Sequence, residues 1–176
     1  MDPFFKGNSN LAKYKNSVYY ADNALGCFID WARQTDWWRN TLVIMVADHC
    51  SRVTAEMSIF SPEAFRIPML WIGGALSKRG IRIDKNGSQE DIPVTLSGQL
   101  GLTQVFSFGK DLFADDASSF AFYVFNEGFG FVTDSSMVAY DHKLKKSVLR
   151  EGKDPDYAEK SGKAFLQVLF DDYLKR

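Results

Sequence analysis

Asp48 and His49 are the neighbouring residues whose types and position are best suited to chemistry in this sequence. They follow residues 41–47 (TLVIMVA), an apolar run that is rich in β-branched residues and shows no polar alternation. Such a run predicts a strand buried on both faces, as in the parallel sheet of an α/β domain. Ligands of open sheets bind at the carboxyl ends of the strands. A carboxylate and a neutral imidazole at that position would suit Zn²⁺, Mn²⁺ or a similar cation.

The same dipeptide also has a purely structural interpretation. Asp48 could cap a following turn while His49 is simply a polar loop residue. Two side chains do not complete a metal site. The residues alone therefore leave both interpretations open.

The composition limits the class of protein. The 176 residues suit one domain, and 21 Lys and Arg against 22 Asp and Glu leave a net charge of −1. This balance argues against a nucleic-acid partner. A hydrophobic fraction of 45% with 24% charged residues excludes intrinsic disorder. No apolar run approaches the 18 or so residues that cross a bilayer, so we expect the chain itself to be soluble.

The two cysteines, Cys27 and Cys50, do not form a disulfide framework, and neither has the spacing of a zinc motif. Cysteine is among the most frequently buried residue types, so we expect two buried free thiols. A disulfide bond between the two cysteines is the alternative if the domain lies outside the cytosol.

Hydrophobic periodicity predicts the order of the remaining elements. A helix over residues 16–34, capped by Asn16 or Ser17, precedes the first strand. The later elements are a second strand over 67–72, a helix over 91–100 with Asp91 at its cap, a three-stranded antiparallel meander over 119–141, and a helix over 156–175. This order predicts an α/β layer followed by a small antiparallel unit, with no second domain.

Six short motifs strengthen the interpretation because they occur together in one order. They are NSVYYAD at 16–22, WRNTL at 38–42, ADH at 47–49, FRIPM at 65–69, DIPVTL at 91–96 and FGKDLF at 108–113. The combination resembles the C-terminal part of the sulfatase-type domain in the lipoteichoic-acid-synthase-like (phosphoglycerol transferase) group of the alkaline phosphatase superfamily. The resemblance implies a partial alkaline-phosphatase-like sheet sandwiched by helices, followed by a small antiparallel β meander and a C-terminal helix.

The resemblance also implies a function. Asp48 and His49 would bind a divalent metal cation (Mn, Mg, Zn or Ca) that acts as a Lewis acid on a phosphate- or sulfate-ester substrate. The family's nucleophile lies upstream, so residues 1–176 are expected to be the C-terminal portion of one sulfatase-like domain. We assign no catalytic residue and expect this chain alone to be inactive. The upstream part of the domain would be its partner, and the full-length parent would lie on the extracytoplasmic face of the cytoplasmic membrane.

A non-catalytic binding or interaction module that retains only part of the sulfatase fold is the alternative. Such a piece would expose apolar surface and is expected to self-associate. For the other residues with potential chemistry the structural interpretation is favoured. Trp37 and Trp38 are expected to pack rather than to stack on a sugar, His142 to be solvated, and Arg66 to form a structural ion pair rather than to bind a substrate anion.

Overall fold

The computed structural model describes residues 4–51, 58–103, 106 and 108–176. These residues form two compact units, the first within 1–57 and 64–81 and the second within 58–63 and 82–176. In the described part of the chain the fold is α/β, as predicted, with three α-helices, a two-stranded and a four-stranded antiparallel sheet, and two short 3-10 helices.

Helix α1 of the first unit spans Asn10–Ala32 and begins six residues before the predicted start. Its cap is Ser9, whose hydroxyl accepts a hydrogen bond from the Ala12 N–H at 3.1 Å. Asn16, a predicted cap, lies inside the helix, and its side-chain amide binds Phe5 instead of capping. Its Oδ1 accepts from the Phe5 N–H at 2.8 Å, and its Nδ2 donates to the Phe5 carbonyl at 2.9 Å.

The two strands of the first unit are β1, Val43–Val46, and β2, Met69–Ile72. They pair antiparallel, with Val43 opposite Ile72, so the prediction of a parallel pair is wrong. A parallel pair needs a long crossover, usually an α-helix. The described residues between β1 and β2 contain only the 3-10 helix Pro62–Phe65, and the other 3-10 helix, Asp36–Asn40, precedes β1. Neither strand is buried on both faces.

The second unit contains the predicted meander, which a fourth strand extends. The strands pair in chain order and are β3 (Phe120–Phe125), β4 (Gly128–Thr133), β5 (Ser136–Asp141) and β6 (Lys146–Gly152). Strand β6 was not predicted, because its residues are mainly polar and exposed and so lack the apolar alternation of a half-buried strand. Its pairing with β5 also shifts register between Ala139 and Tyr140, which interrupts a simple alternation.

Helix α3, Pro155–Lys175, covers the four-stranded sheet. Asp154 caps it by accepting a hydrogen bond from the Tyr157 N–H at 2.9 Å. Phe129 is completely buried at the centre of the core, where its ring stacks on Phe122 at 5.6 Å and on Tyr140 at 5.7 Å. Gly162 allows the close approach of α3, since a Cβ there would lie only 2.4 Å from the Phe129 ring.

Helix α2, Asp91–Gln99, is held by a buried ion pair. Asp91 is 2% exposed, and it is the first helical residue rather than the cap, which is Glu90. Its carboxylate accepts hydrogen bonds from the Ser88 N–H at 2.8 Å, the Lys110 N–H at 2.9 Å and the Lys110 Nζ at 2.7 Å. Lys110 Nζ also donates to the Phe120 carbonyl at 2.9 Å, so one ammonium group links α2 to β3.

Two hydroxyl groups extend this network. Thr95 Oγ1 donates to the Asp91 carbonyl at 2.8 Å and accepts from the Leu112 N–H at 2.9 Å. Ser88 Oγ donates to the Phe122 carbonyl at 3.1 Å and accepts from the Phe122 N–H at 3.0 Å. Side chains around α2 therefore satisfy backbone groups of the following loop and of β3.

Glu90, the residue before α2, is half-buried, and this burial raises the pKa of its carboxyl above the ordinary 4.5. An acid whose pKa is raised by folding destabilises the folded state as the pH rises through the folded pKa. We therefore expect Glu90→Gln to increase the free energy of unfolding at neutral pH and to have little effect below about pH 4. Urea unfolding at both pH values measures this difference.

Glu151 supplies the matched control for Glu90 because it is exposed. Glu151→Gln should leave the free energy of unfolding nearly unchanged at both pH values. A Glu90→Gln protein that is no more stable than the unmodified chain at neutral pH would contradict the effect assigned to burial.

Candidate metal site

Asp48 and His49 lie just beyond the carboxyl end of β1 in the first unit. The structure brings their side chains together, with Asp48 Oδ2 3.4 Å from His49 Nε2. The His49 backbone N–H donates to Asp48 Oδ1 at 2.8 Å, and this bond orients the carboxylate with Oδ2 towards the ring. The two side chains are 86% and 80% exposed, so the pair is open to solvent.

The position of the His49 ring decides which of its nitrogens can bind a cation. Nδ1 lies 3.1 Å from the Cys50 carbonyl oxygen, which can only accept a hydrogen bond. In the neutral ring this contact places the hydrogen on Nδ1 and leaves the lone pair on Nε2, beside Asp48. Metal-binding histidines commonly donate their second ring N–H to a backbone carbonyl in this way.

The spacing of the two donor atoms fits a shared cation. Ligands that each lie about 2.1 Å from a tetrahedral zinc ion are about 3.4 Å apart. The observed separation of Asp48 Oδ2 and His49 Nε2 has this value. Across the described residues no group of three His, Cys, Asp or Glu side chains could hold a metal ion. The pair therefore offers two ligands and leaves the other coordination positions open.

The cysteines only partly follow the prediction. Both thiols are free, and Cys50 is half-buried beside the candidate ligands. Cys27 is exposed, so the prediction that it is buried is wrong. It lies in α1, where only Ala12, Ile29 and Ala32 are buried.

The other residues that we considered for chemistry contribute little to a site. His142 is exposed, as predicted. Trp38 is half-buried, but Trp37 is 43% exposed and packs edge-on against Trp31 at 5.8 Å. Arg66 is exposed and forms no ion pair with a described residue, so its predicted structural ion pair is not found there.

The sulfatase family model matches residues 2–102, which include Asp48 and His49. The chain belongs to the sulfatase family.

The three-dimensional structure of this sulfatase-family chain is similar to that of a known relative. This relative is a protein in the alkaline phosphatase superfamily from Vibrio parahaemolyticus, with a TM-score of 0.67 and 25% sequence identity. The alignment covers 94% of this chain and 45% of the relative, so the chain spans less than half of that protein's length. The predicted resemblance to a sulfatase-like domain of this superfamily is confirmed.

The link between two of the family motifs was not predicted. Residues 91–96 and 108–113 are joined through Asp91 and Lys110, which are 19 positions apart in the sequence. Neither residue type nor spacing indicated this ion pair.

None of the described helices is both long and apolar enough to cross a membrane.

Proposed function

We propose that this sulfatase-family chain forms part of a metal-dependent site that hydrolyses or transfers sulfate or phosphate esters. Asp48 and His49 would be two ligands of its divalent cation. The proposal rests on one observation, the 3.4 Å separation of a carboxylate oxygen and an imidazole nitrogen at the end of β1. Superfamily members generally use divalent metals, which supports the same assignment.

The residues of this chain would bind and orient the cation. Asp48 supplies a negative charge and His49 a neutral nitrogen donor, a combination that suits borderline cations. The His49 N–H and the Cys50 carbonyl orient these donors, so little reorganisation is needed on binding. When bound, the cation supplies Lewis acidity that stabilises negative charge on a phosphoryl or sulfuryl oxygen.

The proposal places the nucleophile and the remaining ligands outside residues 1–176, in an upstream part of the same domain. This assignment follows the motif resemblance, and it accords with an alignment that covers only 45% of the superfamily relative. Phosphoglycerol transfer by a parent protein on the extracytoplasmic side of the membrane is the specific activity that this resemblance suggests.

The two histidines of the chain provide a direct test of the metal site. Adding Mn²⁺ to the 176-residue chain is expected to broaden the ring-proton NMR signals of His49 and to leave those of His142 sharp. Asp48→Asn should weaken this binding about tenfold or more, because it removes the charged ligand. Titration of signal width against Mn²⁺ concentration gives both affinities.

Asp84 provides the matched control because it is an exposed aspartate of the second unit. Asp84→Asn should leave the Mn²⁺ affinity unchanged. Equal broadening of both histidines, or the same affinity in Asp48→Asn as in the unmodified chain, would refute the metal assignment.

The exposed apolar side chains of α1 favour a second candidate function, a non-catalytic interaction module. This candidate predicts that the chain binds another polypeptide and does not take up Mn²⁺ at His49. The NMR titration therefore distinguishes the two candidates.

A further inference from the structure

A polar cleft of about 270 Å³ lies within the second unit, at the end of the four-stranded sheet where α3 begins. Its walls come from the start of β3, the end of β4, the β4–β5 turn and the first turn of α3. Seven of its described lining residues are Ser, Thr or Asp, and the other three are aromatic. The cleft is smaller than the roughly 300–1,000 Å³ of pockets that take drug-sized molecules, so it suits a small polar ligand.

Three hydroxyl groups of this polar cleft are held in place by backbone groups. Thr133 Oγ1 accepts from the Ser136 N–H at 3.0 Å and donates to the Ser136 carbonyl at 3.1 Å. Ser119 Oγ accepts from the Asn86 N–H at 2.9 Å, and Ser136 Oγ accepts from the Asp154 N–H at 2.7 Å. Groups that are already ordered lose little freedom when a ligand binds them.

Asp134 and Asp154 each use one carboxylate oxygen within the fold. Asp134 Oδ1 accepts from Asn86 Nδ2 at 3.1 Å and from the Ser119 hydroxyl, and Asp154 Oδ1 accepts from the Tyr157 N–H at 2.9 Å. Among the residues that the structure describes, none donates to Oδ2 of either carboxylate. A hydroxyl group that donates to a carboxylate makes a stronger hydrogen bond than one between neutral groups. The polar cleft therefore offers two strong acceptors to a ligand that carries hydroxyl groups.

The charge of the lining disfavours an ionic ligand. The described lining contains two carboxylates and no Lys, Arg or His, and Lys110, which lies over the Phe120 ring, is already paired with Asp91. A phosphate or sulfate group would therefore be repelled. No group of three His, Cys, Asp or Glu in the described part of the chain could hold a metal ion. A neutral ligand with several hydroxyl groups remains.

The aromatic residues of the polar cleft supply its apolar surface. The rings of Phe120 and Phe131 stack at 5.2 Å, and the Tyr157 side chain on α3 is 61% exposed. A sugar ring has an apolar C–H face and a hydroxylated edge. An aromatic surface beside hydroxyl and carboxylate groups matches both parts of such a ring.

We propose that the polar cleft binds one neutral sugar ring. Tyr157 packs against the C–H face of the sugar, and Asp134 and Asp154 accept hydrogen bonds from its hydroxyl groups. The proposal does not depend on the proposed metal site, because every residue that it uses lies in the second unit.

Titration with neutral sugars tests the site. Glucose, galactose, mannose and N-acetylglucosamine are added separately to the isotope-labelled 176-residue chain, and the backbone amide signals are followed by NMR. At least one sugar should shift the signals of Ser119, Asp134 and Ser136 saturably. Inorganic phosphate should leave these signals unchanged, because the carboxylates repel it.

Two variants of exposed residues measure the assigned contacts. Asp154→Asn retains a good helix cap but removes the charge, and it should weaken sugar binding about tenfold. Tyr157→Ala should also weaken it about tenfold, because the sugar loses its aromatic contact. The circular dichroism of both variants should be unchanged, since both side chains are exposed.

Asp171 and Tyr173 supply the matched controls, because both are exposed near the other end of α3. Asp171→Asn and Tyr173→Ala should bind the sugar like the unmodified chain. No saturable shift with any of the four sugars, as expected if an upstream part of the domain fills the polar cleft, would overturn the proposal. So would shifts caused by phosphate, or unchanged affinity in Asp154→Asn and Tyr157→Ala.

Discussion

Phe129→Ala is expected to lower the free energy of unfolding of the second unit by about 3–5 kcal/mol. The Phe129 ring is fully buried and contacts the sheet, through Phe122 and Tyr140, as well as α3 at Gly162. Truncation removes this apolar contact area and leaves a cavity that the surrounding rings fill only in part. Urea unfolding followed by circular dichroism measures the loss.

Phe170 is the matched control for this change because it lies on α3 and is 53% exposed. Phe170→Ala should alter the free energy of unfolding by no more than about 0.5 kcal/mol, as is usual for surface positions. Comparable losses for Phe129→Ala and Phe170→Ala would show that Phe129 is not central to the core.

Lys110→Met is expected to destabilise the second unit by about 3–5 kcal/mol, because it leaves the Asp91 carboxylate buried without its cation. The change also removes the donor to the Phe120 carbonyl. Asp91→Asn/Lys110→Met should recover part of the loss, because the neutral amide no longer carries the unpaired charge. Denaturant unfolding of the single and double variants gives the coupling between the two residues.

Arg82 and Asp84 form the control pair for this experiment. Their side chains are 86% and 73% exposed, and Arg82 Nε lies 2.6 Å from Asp84 Oδ1. Arg82→Met should cost at most about 1 kcal/mol, since solvent screens an exposed ion pair. Equal losses for Lys110→Met and Arg82→Met would contradict the role assigned to burial.

Patterns among residues close together in the sequence predict most of the helices and strands of the second unit. The predicted helix over 156–175 corresponds to α3, and the predicted helix over 91–100 corresponds to α2. Alternating aromatic residues and short turns likewise predict β3, β4 and β5. These features could be predicted because helix periodicity, strand alternation and turn residues act within a few positions of each other.

Features that depend on distant partners could not be predicted in the same way. An apolar run such as residues 41–47 can pair with a neighbouring strand in either direction. The pair is antiparallel because Met69–Ile72 runs in the opposite direction beside β1. The polar strand β6 forms because β5 offers it a partner. Asn16 is a good cap by type, but the helix begins earlier, at the Ser9 cap, and the Asn16 amide binds the distant Phe5 backbone.

The candidate site lies between these two cases. Asp48 and His49 are adjacent in the sequence and follow a strand, so their proximity could be predicted locally. The contact of His49 Nδ1 with the Cys50 carbonyl depends on the backbone conformation after β1, so it could not be predicted from the sequence. Their binding of a cation stays a prediction.

The hydrogen bonds of Ser88 and Lys110 protect one edge of the larger sheet. β3 pairs with β4 on one side only, and on its other side these two side chains occupy the Phe122 N–H and the carbonyls of Phe120 and Phe122. An unpaired strand edge is a template on which strands of other molecules add and aggregate. Because Ser88 and Lys110 already occupy these groups, β3 is a poor template for such growth.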